Sequence, residues 1–169
     1  MKICINLNKK DFKKGFKSFK IYQERYYFIA LIMGFFLSCI TMLNQNKIII
    51  PEVIFIIIII IAFVVKIMQL AKDIELKSNL FFDNNTNNDF ILNYTFEDKF
   101  TVDRYIDFSM IIKDYNELNY CLSTNKLIII VFDINKYSII VKKQLKQEEL
   151  NNILKILKDN SVKIIKSLI

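Results

Sequence analysis

Two long apolar runs dominate the pattern along the chain. Residues 26–43 read YYFIALIMGFFLSCITML without a charge, and residues 48–65 read IIIPEVIFIIIIIIAFVV with Glu52 alone near the start. At about 1.5 Å per residue, eighteen helical residues reach roughly 27 Å, close to the hydrocarbon thickness of a bilayer. Each run is also about three times the length of an ordinary strand. The expectation is two membrane-spanning helices, 26–43 and 48–65, joined by a short extracytoplasmic loop at 44–47. Pro51 falls in the first turn of the second helix, where its missing N–H has no helical partner to lose. A secretory signal fits poorly, since the first run begins only after residue 25 and a second span follows at once.

Ahead of these runs, Phe12, Phe16, Phe19, Tyr22 and Tyr26 recur at helical spacing, with Lys9, Lys10, Lys13, Lys14, Lys17 and Lys20 around them. Residues 1–25 read as a basic amphipathic arm. It can lie on the inner membrane surface, or its aromatic face can pack on the C-terminal domain.

Beyond the second run, residues 66–83 form a neck that can continue as helix, and FFDNNTNND marks a boundary. Five short strand-like segments follow, at 90–96, 99–105, 118–124, 127–132 and 136–142. Turn-prone pieces separate them, so antiparallel hairpins are expected. FTVDRY alternates, with one face toward a core and the other toward water. The period then changes. Leu150, Ile153, Leu154 and Leu157 make an amphipathic helix from about Gln147, with Glu148 and Glu149 in its first turn. Residues 162–169 either extend this helix or pack back on the sheet or membrane. The resulting class is an α+β membrane protein: a transmembrane hairpin, then residues 84–169 as a small antiparallel sheet under a C-terminal helix.

Charge sets the expected orientation. Residues 1–25 carry eight Lys or Arg against Asp11 and Glu24, a net of +6 out of +7 for the whole chain. Lys66, Lys72 and Lys77 follow the second run, and only Lys47 lies between the runs. By the positive-inside rule both termini face the cytoplasm. The abundance of Ile, Lys and Asn also suits an AT-rich bacterial genome, so part of the basicity is compositional.

Missing residue types exclude chemistry. There is no His, which removes the usual general base, the Ser-His and Cys-His nucleophile pairs and most zinc sites. The two glycines, Gly15 and Gly34, form no phosphate-cradling loop. Cys4, Cys39 and Cys121 are too scattered for a disulfide framework or a metal knuckle. Asp103, Asp107 and Asp114 are spaced as strand ends and turns. No catalytic, cofactor or metal site is expected, and the arm, lying flush with a bilayer, is poorly placed for nucleic acid.

The chain resembles the YcxB-like family, two-span bacterial membrane proteins with a pleckstrin-homology-like (PH-like) C-terminal domain. The resemblance runs through LNKKDFKKGFKSF, similar to the family's opening strand followed by a charged, aromatic segment, then the strand pair at 90–105, IDFSMI at 106–111, and KYSIIVKKQLKQEELNNILKIL at 136–157. Phe108 stands before Ser109 where the family often has Trp, and Val141-Lys142 stands where Pro-Lys is common. The resemblance implies a multi-pass protein of the bacterial plasma membrane and a PH-like sheet domain. It carries no settled biochemical activity.

The function expected is non-enzymatic: a membrane-anchored module whose cytoplasmic domain binds a protein partner, anionic headgroups of the inner surface, or its own copy. The candidate membrane-surface contacts are Lys9, Lys10, Lys13, Lys14, Lys17, Lys20 and Arg25. Those for a partner or lipid are Lys142, Lys143 and Lys146. The alternative is an immunity protein against a toxin or bacteriocin. Transport would have to use Glu52, the one ionisable residue near a span, and two helices enclose a pathway only when several copies assemble.

Overall fold

The computed structural model describes residues 1–45, 50–82, 89–104, 110–133 and 136–167. The chain divides into two compact units, residues 1–16 with 78–169, and residues 17–77. Both divisions fall inside helices.

The first unit is built on two four-stranded sheets. Strand β1 (Lys2–Asn8) is followed directly by helix α1 (Lys9–Gln23), whose first two turns belong to this unit. The remaining strands of the first sheet are β2 (Asp89–Phe96), β3 (Phe100–Arg104) and β4 (Met110–Lys113), in the order β1-β2-β3-β4 and antiparallel throughout. Register follows the alternation of apolar residues. Ile3, Ile5 and Leu7 of β1 are buried, as are Phe90, Leu92, Tyr94 and Phe96 of β2, with Ile5 opposite Leu92 and Leu7 opposite Phe90. A slip of one residue would turn all of these to solvent.

The second sheet has the order β7-β6-β5-β8. It contains β5 (Tyr120–Ser123), β6 (Leu127–Asp133), β7 (Lys136–Val141) and β8 (Ile164–Lys166). The first three strands make an antiparallel meander, and β8 lies parallel to β5. Residues 127–132 of β6 are buried at every position, so both faces of that strand are covered. Helix α4 (Gln147–Asp159) buries Ile153 and Leu157, the inner edge of the stripe read from sequence, and ends at Asn160. The two sheets meet through Tyr94, whose hydroxyl bonds Ser138 and the Ile139 carbonyl, and through the Phe100–Phe132 ring pair at 5.6 Å.

Residues 2–8, which the sequence reading includes in an N-terminal arm, are thus a strand of the sheet domain. Phe12 stacks on Phe81 at 4.6 Å, and Phe16 lies against Tyr137 at 5.8 Å. The aromatic face of the first half of α1 is therefore occupied by protein. Strands β4 and β8 are two further additions to the expected set. The pieces 46–47 of the loop, the turn at 134–135, Asp107, and Phe108-Ser109 lie outside the described residues.

The second unit contains helix α2 (Arg25–Gln45) and most of helix α3 (Ile50–Phe82). Both are long and apolar enough to cross a membrane, with mean hydropathies of 2.0 and 3.0, and only 6% and 11% of their apolar windows are buried within the protein. The core helix of a soluble protein would show the opposite burial. The two helices pack through Phe28 against Phe63, with ring centroids 5.7 Å apart, and through Gly34. A Cβ at Gly34 would lie 3.3 Å from Ile59 Cδ1, so the missing side chain sets how closely the backbones approach. α3 extends well past Val65 because residues 66–82 contain no Gly or Pro and are rich in helix formers.

Candidate functional site

The lysines named from sequence are distributed by local hydrogen bonding. Asn8 caps α1: its Oδ1 accepts the Asp11 N–H at 2.8 Å, and its Nδ2 donates to Asp11 Oδ2 at 3.1 Å. This reciprocal cap holds the Asp11 carboxylate, nearly buried, in the first turn, where the helix dipole favours a negative charge. The same carboxylate receives Lys143 Nζ at 3.4 Å. Lys143 remains two-thirds exposed, so this pair positions the lysine more than it stabilises the fold.

A second tie fixes the same corner. The 3-10 turn Lys142–Gln144 follows β7, and the Gln144 side chain imitates a neighbouring strand. Its Oε1 accepts the Asn6 N–H at 2.8 Å, and its Nε2 donates to the Asn6 carbonyl at 2.6 Å. The junction of β1 and α1 is thereby joined to the connection between β7 and α4. Lys9 and Lys10 precede Asp11, the partner of Lys143, in the first turn of α1, and Lys146 is the N-cap residue of α4. Lys10, Lys14, Lys143 and Lys146 are exposed, and Lys9 and Lys13 are half-buried. Two lysine-bearing segments far apart in sequence are thus tied at one corner of one unit.

Lys142 does not join it. Its Nζ donates to Ser123 Oγ at 2.9 Å, at the end of β5, and to the Thr124 carbonyl just beyond it. Burial pushes its ammonium pKa down. Thr124 Oγ1 in turn accepts the Leu127 N–H at 3.0 Å, so Lys142 completes a turn inside the sheet. Of two adjacent lysines at a strand end, Lys142 thus turns to the oxygens facing it, while Lys143 is exposed.

Lys17, Lys20 and Arg25 belong to the other unit. There Arg25 is held between aromatic rings, its guanidinium carbon 3.8 Å from the Tyr22 centroid and 4.4 Å from that of Tyr26. Its Nη1 donates to the Tyr22 carbonyl at 2.9 Å. Nearby, Lys66 Nζ meets Glu24 at 2.8 Å and lies 5.5 Å from the Tyr27 ring centroid. Charged and aromatic groups gather where the apolar stretches of α2 and α3 end, the composition of a membrane–water boundary.

Of the three aspartates read from sequence as strand ends and turns, Asp107 lies outside the described residues. Asp114 pairs with Lys99 at 3.1 Å, and Asp103 sits on the outer face of β3. Sequence reasoning missed Asp11, Asn6 and Gln144. The spacing of Asn8 and Asp11 ahead of an aromatic run was a legible cap, whereas the Gln144 contact carries no local signal. Comparison with family models, characterised proteins and solved structures finds no match to this chain.

Proposed function

We propose that this chain is a two-span protein of the bacterial plasma membrane. In this reading, a YcxB-like, PH-like cytoplasmic domain presents the Lys9–Lys10–Lys143–Lys146 surface to the anionic inner leaflet. The observation that carries the reading is the convergence of the two lysine groups through the Asp11–Lys143 pair and the Gln144–Asn6 clamp. A PH-like assignment is supported by two antiparallel meanders packed on each other and followed by a helix. The spans are then an insertion between the first and second strands. Bilayer insertion is supported by the exposure of two helices, α2 with no charged residue after Arg25 and α3 with none from Val53 to Val65. The role is one of anchoring and surface recognition, without catalysis.

The test uses the full chain in nanodiscs of neutral lipid, with capture by added vesicles as the readout. Vesicles containing phosphatidylglycerol should capture it, neutral phosphatidylcholine vesicles should not, and capture should fall with salt. Each Lys→Gln change at positions 9, 10, 143 and 146 should weaken capture by up to about fivefold. Lys142→Gln should leave it unchanged. Equal capture by neutral vesicles, or indifference to all four substitutions, would remove the leaflet-binding role.

A further inference from the structure

Between α2 and α3 lies an open cleft of about 410 Å³, bounded by Leu37, Ser38, Thr41, Pro51, Glu52 and Phe55. Its polar groups share one property. Ser38 Oγ donates its proton to the Gly34 carbonyl at 3.0 Å, and Thr41 Oγ1 donates to the Ser38 carbonyl at 2.8 Å. Both hydroxyl protons are committed to their own helix, which leaves only oxygen lone pairs for a ligand. Glu52 adds a carboxylate whose Oε2 is buried and has no hydrogen-bond partner among the described residues. Pro51 beside it lacks an N–H, so the start of α3 has one donor fewer to offer that oxygen.

A cleft whose polar side chains offer only acceptors, between apolar walls, selects a ligand that brings donors, positive charge and hydrocarbon together. We propose that this cleft binds a primary ammonium carried on an apolar chain, its N–H groups shared among Glu52, Ser38 and Thr41. A lipid with an ethanolamine headgroup and a free long-chain amine offer the same chemistry. A quaternary trimethylammonium has the charge and no N–H, and is excluded. The unpartnered Glu52 oxygen then receives the charge-assisted bond it lacks. This inference rests on the membrane reading, because the cleft lies wholly between the two apolar helices.

The experiment is native mass spectrometry of the full-length protein in detergent, with phosphatidylethanolamine and phosphatidylcholine of matched acyl chains, and separately with octylamine. Retention of phosphatidylethanolamine about tenfold above phosphatidylcholine, lost in Glu52→Gln, assigns a lipid ligand. Equal retention of the two lipids, with octylamine held by the wild type and released by Glu52→Gln, assigns a free amine. Should neither lipid nor amine discriminate wild type from Glu52→Gln, the proposal is overturned. The comparison of headgroups on unaltered protein keeps the test valid even where the variant folds poorly. A chain that stays in solution without detergent would instead overturn the membrane reading itself.

Discussion

Tyr94 on β2 and Ser138 on β7 share a hydrogen bond of 2.7 Å between their hydroxyls, inside the core where the two sheets meet. Tyr94 also donates to the Ile139 carbonyl at 2.8 Å, so one phenol serves two groups of the opposite sheet. Tyr94→Phe leaves the Ser138 hydroxyl and that carbonyl without this partner, and a loss of about 1–3 kcal/mol is expected. Ser138→Ala keeps the bond to Ile139 and should cost less. Thermal unfolding of both variants in detergent checks the order, and a neutral Tyr94→Phe would mean that the sheets are held by apolar contact alone.

Gly15 lies in the middle of α1, where Ala would ordinarily favour the helix by about 1 kcal/mol. Here a Cβ would stand 2.5 Å from Ile139 Cδ1, and Ile139 is buried among packed neighbours. Overpacking of about 1–3 kcal/mol should win, so Gly15→Ala destabilises. In an Ile139→Val background, which removes Cδ1, the penalty should shrink.

Strand β1 joins residues 1–16 to a domain whose other strands begin at Asp89. A fragment of residues 84–169 lacks Ile3, Ile5 and Leu7, each contributing about 1.5–3 kcal/mol on burial. Their sum is comparable to the whole stability of a typical domain. The fragment should therefore stay unfolded by amide exchange. A chain joining residues 1–16 to 78–169 through a flexible linker should fold. Protected amides in the shorter fragment would show that β1 is dispensable.

The legible parts of the fold were those whose signal is local and long. FTVDRY alternates, residues 127–132 run apolar through a covered strand, and Leu150 to Leu157 keep the helical period. β1 entered only through the family resemblance, because its alternating KICINLN runs into a lysine-rich helix and its partner β2 lies beyond two long helices. β4 and β8, four and three residues long, are too short to show a period. At the basic surface, the lysines could be named, but not which of Lys142 and Lys143 faces outward. That choice depends on Ser123 and Asp11, both distant in sequence.

Cys121 is buried in β5, and burial pushes its thiol up to about 12 from an ordinary 9.0. Between these values the folded chain holds a proton that the unfolded chain releases, so this group favours folding fully below pH 9 and progressively less above it. At pH 10 the loss is about 1 kcal/mol. Cys121→Ala should flatten that decline in stability. Lys142 tilts the other way, because its ammonium pKa is lowered and the unfolded chain binds its proton more tightly. In thiol labelling of the native protein, the exposed Cys4 should react readily, and Cys121 only after denaturation.

Extraction of membranes from expressing cells with alkaline carbonate tests the anchoring by α2 and α3 most directly. The chain should sediment with the bilayer and be released only by detergent. Its recovery in the carbonate supernatant would mean that these two apolar helices do not cross a membrane.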